Sequence, residues 1–443
     1  MSSVTYVAEA MQTVLSDVAD QAAYRTGFVQ RESPLGGAEF VQTLVFTWLA
    51  NPEASLSELT QTAATLGVDI SNQGLDQRFT PAAAHCVQAV LQQAVAQVVQ
   101  AEPATVPLLQ RFTALYLRDS SQLQLPGELA AVWHGNSACH VPEAESAALK
   151  IQVRLDELSG QLEGPFLQDG RAGDRTSPTQ TAPVHPGSLS LADLGYFDLA
   201  QLRAVGDQQA FWLTRWRAGT CLYDAAGQRL DLVRWLQQQR RDRIEDAVCV
   251  GAQQRLPARL LAVRVPPEVV AQRRRQLKEA ARKHGTAVNP ERWALASWTL
   301  LLTNVPAEKL SLSEVLVVAR VRWQIELLFK LWKAQGQVDT SRSGQPWRIL
   351  CEVYAKLLIV VIQHWILLTA VWANPRRSLV KAAQTIRHHA LHLASRFVEG
   401  PEGLVCALQV VQACLRTGCR IDKRRQHPSA FQLWLDPDLL VLD

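Results

Sequence analysis

Three acids in this chain of 443 residues stand where side chains could reach a ligand. Asp119 closes the short apolar run Ala114-Leu115-Tyr116-Leu117-Arg118, and Asp193 closes Ser188-Leu189-Ser190-Leu191-Ala192. Both runs read as strands, and the C-terminal edge of a sheet is where side chains emerge and ligands collect. Strand-end acids are common, so a third element matters more. In the stretch Ala319 to Lys333, the residues Arg322, Glu326, Lys330 and Lys333 follow one another by four, four and three, which puts them on one helical face. Val321, Ile325, Leu328 and Trp332 share the opposite face and are expected to be buried. A surface helix with an intrahelical Arg–Glu–Lys ladder would read the same way. Paired acids also serve glycoside hydrolysis, but the Arg and Lys around Glu326 suit a phosphate and not a neutral sugar.

The elements that must position these residues can be read around them. Alternation over Ala148–Leu155 predicts a strand, and Ser159-Gly160 a hairpin turn into Gln161–Gly164. Gly170–Gly187, rich in Gly, Pro, Ser and Thr, reads as loop. Further strands are expected over Gln208–Arg217 and Ser297–Thr303, with hairpins near Gly227 and Gly251 and a charged helix over Glu268–His284. Leu312–Lys333 reads as one strong helix, and everything beyond Gln345 as helical. Near the start, Leu56, Leu59, Ala63 and Leu66 share a helical face, Gly67 supplies a turn, and Ser71 or Asn72 caps a second helix. That outline is a helix-turn-helix, shared by many helical hairpins that bind nothing.

The length implies two to four domains. With 48% hydrophobic and 19% charged residues the composition is that of a folded protein, not a disordered one. A net charge of +4 selects no partner by itself. Its distribution says more. Arg273, Arg274, Arg275, Lys278, Arg282 and Lys283 form one basic cluster and Lys423, Arg424 and Arg425 another, and such clusters suit a polyanion as well as a solvated helix face. Eight scattered cysteines fit a reduced cytoplasmic protein better than a disulfide-stapled one. Cys414, Cys419 and His427 match no zinc module. Met1-Ser2-Ser3 does not begin a signal peptide. The apolar stretch Tyr354–Trp372 contains Lys356, Gln363 and His364, each costly in lipid, and is expected to be a buried core helix with no membrane partner.

Tyr, two residues, Arg, three residues, Glu, six residues, Lys is the YREK signature of transposases of the IS-four insertion-sequence family. The chain resembles that family: Arg322, Glu326 and Lys333 stand in register, and Arg322-Trp323-Gln324-Ile325-Glu326 and Phe329-Lys330-Leu331-Trp332-Lys333 carry its wording. Trp298-Thr299-Leu300-Leu301-Leu302-Thr303-Asn304 resembles the segment leading into the signature helix, Asp193-Leu194-Gly195-Tyr196-Phe197 the second-acid motif, and Asp119-Ser120-Ser121 the first. Two positions depart: Ala319 replaces the signature Tyr, and Leu194 stands where a basic residue often follows the acid.

The resemblance implies an α/β fold with a ribonuclease H-like catalytic core, a β-rich insertion domain and helical terminal regions. The corresponding boundaries are 1–105 (helical, DNA-binding), 106–217 and 297–375 (the two parts of the core), 218–296 (insertion) and 376–443 (helical, a dimerisation candidate). It further implies two divalent cations, Mg²⁺ or Mn²⁺, held by Asp119, Asp193 and Glu326, since these ions prefer hard oxygen ligands. Arg322, Lys330 and Lys333 would contact the DNA backbone. Trp298 would stack on a flipped base, with core packing as its ordinary alternative. The implied activity is metal-dependent cutting and joining of double-stranded DNA by a homodimer acting on terminal repeats and target. A decayed or domesticated copy that binds DNA without cutting it is the alternative, and Ala319 and Leu194 are the residues that favour it.

Overall fold

The computed structural model describes residues 3–31, 33–103, 106–136, 146–374, 376–421 and 430–436. The basic run Lys423-Arg424-Arg425 and His427 lie outside the described residues. The chain divides into two compact units.

The first unit comprises Met1–Thr105, Asp119–Ala172 and Ile325–Lys423, so the helical N- and C-terminal regions belong to one body. Its centre is the helix Pro346–Leu368, which packs against the helices Gly37–Ala50 and Pro81–Val95. This is the apolar stretch long enough to cross a membrane, and 94% of its most apolar window is buried inside the protein. Its polar residues explain why. Lys356, 2% exposed, pairs with Glu352 at 2.7 Å and donates to the carbonyls of Gln337 and Thr340 at 3.1 and 2.9 Å. A buried ammonium needs such partners. His364 bonds the Gly160 carbonyl at 2.6 Å.

That carbonyl sits at the turn of an antiparallel hairpin, β2 (Ala147–Asp156) and β3 (Leu162–Asp169), where the alternating pattern placed it. Gly160 has φ +73°, and a Cβ there would lie 2.7 Å from the Trp372 ring, so only glycine fits. Strand β1 (Leu115–Leu125) is the neighbour of β2, giving the order β3-β2-β1. The helix-turn-helix outline near the start is present in part. Leu56–Thr65 begins with a Ser55–Glu58 capping box, Gly67 has φ +84°, and Ser71 caps the next helix by accepting from Gly74 N–H at 3.1 Å. That second helix, Asn72–Asp76, has only five residues, little more than one turn.

The second unit comprises Val106–Arg118, Gly173–Gln324 and Arg424–Asp443. Its sheet runs β1-β4-β5-β9-β8-β7-β6, with β4 (Leu189–Ala192), β5 (Phe211–Arg215), β6 (Leu222–Tyr223), β7 (Arg243–Val250), β8 (Leu256–Arg264) and β9 (Trp298–Thr303). Strands β1, β4 and β5 are parallel, in register Leu117↔Leu191 and Leu191↔Leu213. The helix Leu199–Asp207, capped by Asp198 on the Ala200 and Gln201 N–H groups, makes the crossover from β4 to β5. The remaining pairs are antiparallel. One face buries Tyr116, Trp212, Val250, Leu260, Trp298 and Leu302 together.

Two expectations are corrected here. Strand β1 does not end on Asp119 but runs six residues further, to Leu125. The helix over Leu312–Lys333 is two helices, Leu312–Val321 and Trp323–Ala334, interrupted at Arg322. Strands β6, β7 and β8, from residues 218–296, lie in the sheet that holds β4 and β5, with β8 bonded to β9 over six register pairs.

Candidate active site

The register of the parallel strands positions two of the acids. The last β1–β4 pair is Arg118↔Ala192. Asp119 is the next residue of β1, and Asp193 is the first residue after β4. β4 is short and stops there, so Asp119 stands at the end of the shared ladder although its own strand continues. The Asp119 carboxylate is half-buried and accepts from the Ser120 N–H at 2.8 Å. Asp193 is exposed and leads into the one-turn helix Leu194–Tyr196, none of whose N–H groups it caps. Its carboxylate oxygens therefore remain available to a ligand.

Glu326 lies half-buried on the helix Trp323–Ala334, in the same unit as Asp119. Ile325, Leu328, Phe329 and Trp332 bury the opposite side. Arg322, at the interruption, has a right-handed backbone (φ −49°, ψ −31°), and Glu326, Lys330 and Lys333 follow on the second helix. Within that stripe the two lysines differ. Lys330 is exposed. Lys333 is half-buried and donates to the Gln122 carbonyl of β1 at 3.2 Å, which ties the helix to the strand that carries Asp119. Among the described residues no three His, Cys, Asp or Glu side chains form a group that could hold a metal ion.

Trp298 opens β9 but is 6% exposed and packed in the core of the second unit. The Arg264 guanidinium covers its ring at 4.4 Å. In this structure both the core and the Arg264 guanidinium cover the Trp298 ring. The exposed aromatic nearby in sequence is Trp323, 50% exposed, three residues before Glu326 and seven before Lys330 on the same helical face. The basic helix Pro267–Lys283 has no buried residue and leaves Arg275, Lys278, Arg282 and Lys283 exposed.

Two further residues emerge that spacing did not point to. Arg118, just before the first acid, is 7% exposed and donates to the carbonyls of Thr179 and Gln180 and to Gln180 Oε1 at 3.3–3.4 Å. Gln180 Nε2 in turn donates to the Tyr196 carbonyl at 3.0 Å, so the segment after Asp193 is held from β1 through Gln180. A basic residue beside an acid was the only signal in the sequence. The second is Arg215, the last residue of β5, which is exposed.

Parallel strands whose shared ladder stops one residue short of Asp119 and Asp193, within a mixed sheet flanked by helices, define an α/β protein. The chain belongs to the transposase DDE domain family, whose model matches residues 111–362 and so spans Asp119, Asp193 and Glu326 in order. It is 25% identical, over 77% of its length and 75% of the relative's, to the transposase for insertion sequence element IS231B of Bacillus thuringiensis subsp. berliner. It is 21% identical to the transposase for IS1151 of Clostridium perfringens, over 77% and 76% of the two chains. Similarity at 30% identity to the putative transposase InsL of IS186A from Escherichia coli K12 covers 50% of this chain and 62% of that one.

Proposed function

We propose that this protein is the transposase of an insertion sequence of the IS-four-like group, cutting and joining the element's ends with two divalent cations, Mg²⁺ or Mn²⁺, held by Asp119, Asp193 and Glu326. The observation that carries the reading is the family match over 111–362, within which the acids fall in the required order. The donor set suits such ions: three carboxylates offering hard oxygens, one of them exposed and capping nothing. Two bound ions supply an activated water and stabilisation of the leaving oxygen. The chain's own residues do the rest. Arg322 offers a planar fork to a phosphate, Lys330 an exposed ammonium along the backbone, and Lys333 holds the helix on β1. The core is read as ribonuclease H-like, and the working form as a homodimer bridging two terminal repeats and target DNA.

Incubating the protein with the element's flanking DNA and Mn²⁺, then mapping the ends, tests this. Strand breaks at the element's boundaries are expected, lost on chelation. Binding of those ends without any metal-dependent break would favour instead a domesticated DNA-binding copy, the reading that Ala319 and Leu194 support.

A further inference from the structure

The register continues beyond β4 to the third parallel strand. Leu191 of β4 pairs with Leu213 of β5, and two residues on stand Asp193, just past the end of β4 with its backbone still extended (φ −71°, ψ 164°), and Arg215, the last residue of β5. Side chains alternate with a period of two, so residues two apart lie on the same face. Arg215 is also paired with Leu301 of β9, and two residues before Leu301, on that same face, is Thr299. The Thr299 hydroxyl accepts from Arg273 Nη2 at 2.9 Å, while Arg273 Nη1 donates to the carbonyls of Trp298 and Ala296 at 2.9 and 3.4 Å. Arg273 thus reaches in from the basic helix and is fixed by three acceptors. Burial, and then the nearby Arg215 charge, push its guanidinium below the usual arginine range. Among the described residues Arg215 forms no ion pair, and Arg217, two residues on, is exposed as well.

Two guanidinium groups thus stand on one face at the strand ends, neither neutralised by a carboxylate among the described residues, and such a pair draws an anion. Their place at the strand ends next to Asp193 gives that anion a role. From this geometry we infer that Arg215, backed by the immobilised Arg273, is a binding site for a DNA backbone phosphate beside the second acid. The inference rests on the proposed transposase function and adds the residue that would hold the substrate strand there. The exposed Arg215 makes the contact. Arg273, engaged with the protein, supplies fixed positive charge behind it.

The test measures affinity for a short random-sequence duplex as a function of salt, alongside Mn²⁺-dependent cleavage of the element's ends. Arg215→Ala should reduce the slope of log affinity against log salt by about one, with an unchanged melting temperature because the side chain is exposed. Arg215→Lys should recover the slope but not the full cleavage rate, since a point charge replaces a planar fork. Arg229→Ala, an exposed arginine on the β6 loop at the other edge of the sheet, controls for net charge and should move the slope less. An unchanged slope in Arg215→Ala, or an equal change in Arg229→Ala, would overturn the inference while leaving the transposase reading intact. A parent protein that neither binds nor cuts DNA would instead remove the transposase reading itself.

Discussion

A carboxylate can serve a metal only if the protein does not already consume it. By that measure the three acids are unequal. Asp193 caps no N–H group, Asp119 accepts from a neighbouring amide, and Glu326 is half-buried on a helix. Each is needed as a charged oxygen donor under the proposed function, so Asp119→Asn, Asp193→Asn and Glu326→Gln should each lower end cleavage by at least about a thousandfold while preserving duplex affinity. Retained turnover in any one of them would remove that residue from the ligand set. Trp298 shows the opposite case, a residue whose type suggested chemistry and whose surroundings supply packing. Trp298→Ala should destabilise the second unit by about 3–5 kcal/mol, as deletion of a buried tryptophan does. It should then slow the first nick and any later hairpin step alike. A selective loss of the later step, read on a denaturing gel, would restore the base-stacking role.

At the scale of elements, the lysines of the signature helix separate function from support. Lys330→Ala should lower the salt dependence of DNA binding by about one unit of slope. Lys333→Ala loses the bond to Gln122 that fixes the helix on β1 and should cost about 1–3 kcal/mol. A thermal melt of each variant with a salt titration separates them, and equal behaviour would refute the division. The sequence made much of this arrangement readable, because β2, β4 and β5 are short runs with clear patterns and flanking turns. It did not reveal where β1 ends: Ser120-Ser121-Gln122 are polar and half-buried, and they break the apolar pattern while the strand continues. The crossover helix Leu199–Asp207 went unread because it is short and only Val205 of its Leu199, Leu202 and Val205 stripe is fully buried. Arg215 was missed because its significance comes from a register between strands far apart in sequence.

For the molecule as a whole, stability should carry a pH signature from one buried network in the first unit. Glu157, 1% exposed, pairs with Arg377 at 2.8 Å, and the Trp372 ring packs on that guanidinium at 4.0 Å. Burial outweighs the arginine and pushes the Glu157 carboxyl up from 4.5 to about 7. Nearby, burial pushes His364 down from 6.5 to about 4. The signs oppose each other. A raised acid binds more protons folded than unfolded, so its contribution is full below pH 4.5 and lost as pH rises through about 7. A depressed histidine contributes fully above pH 6.5 and loses that contribution as pH falls through about 4. Each swing amounts to a few kcal/mol at most. The diagnostic quantity is the slope, not the level. Variant minus parent melting temperature should rise with pH between 4.5 and about 7 for Glu157→Gln. It should fall with rising pH between about 4 and 6.5 for His364→Gln. Melting both variants against the parent across that range checks the signs directly. A difference independent of pH would mean that the buried carboxyl does not change its protonation on unfolding in this range, and the network would then act through packing alone.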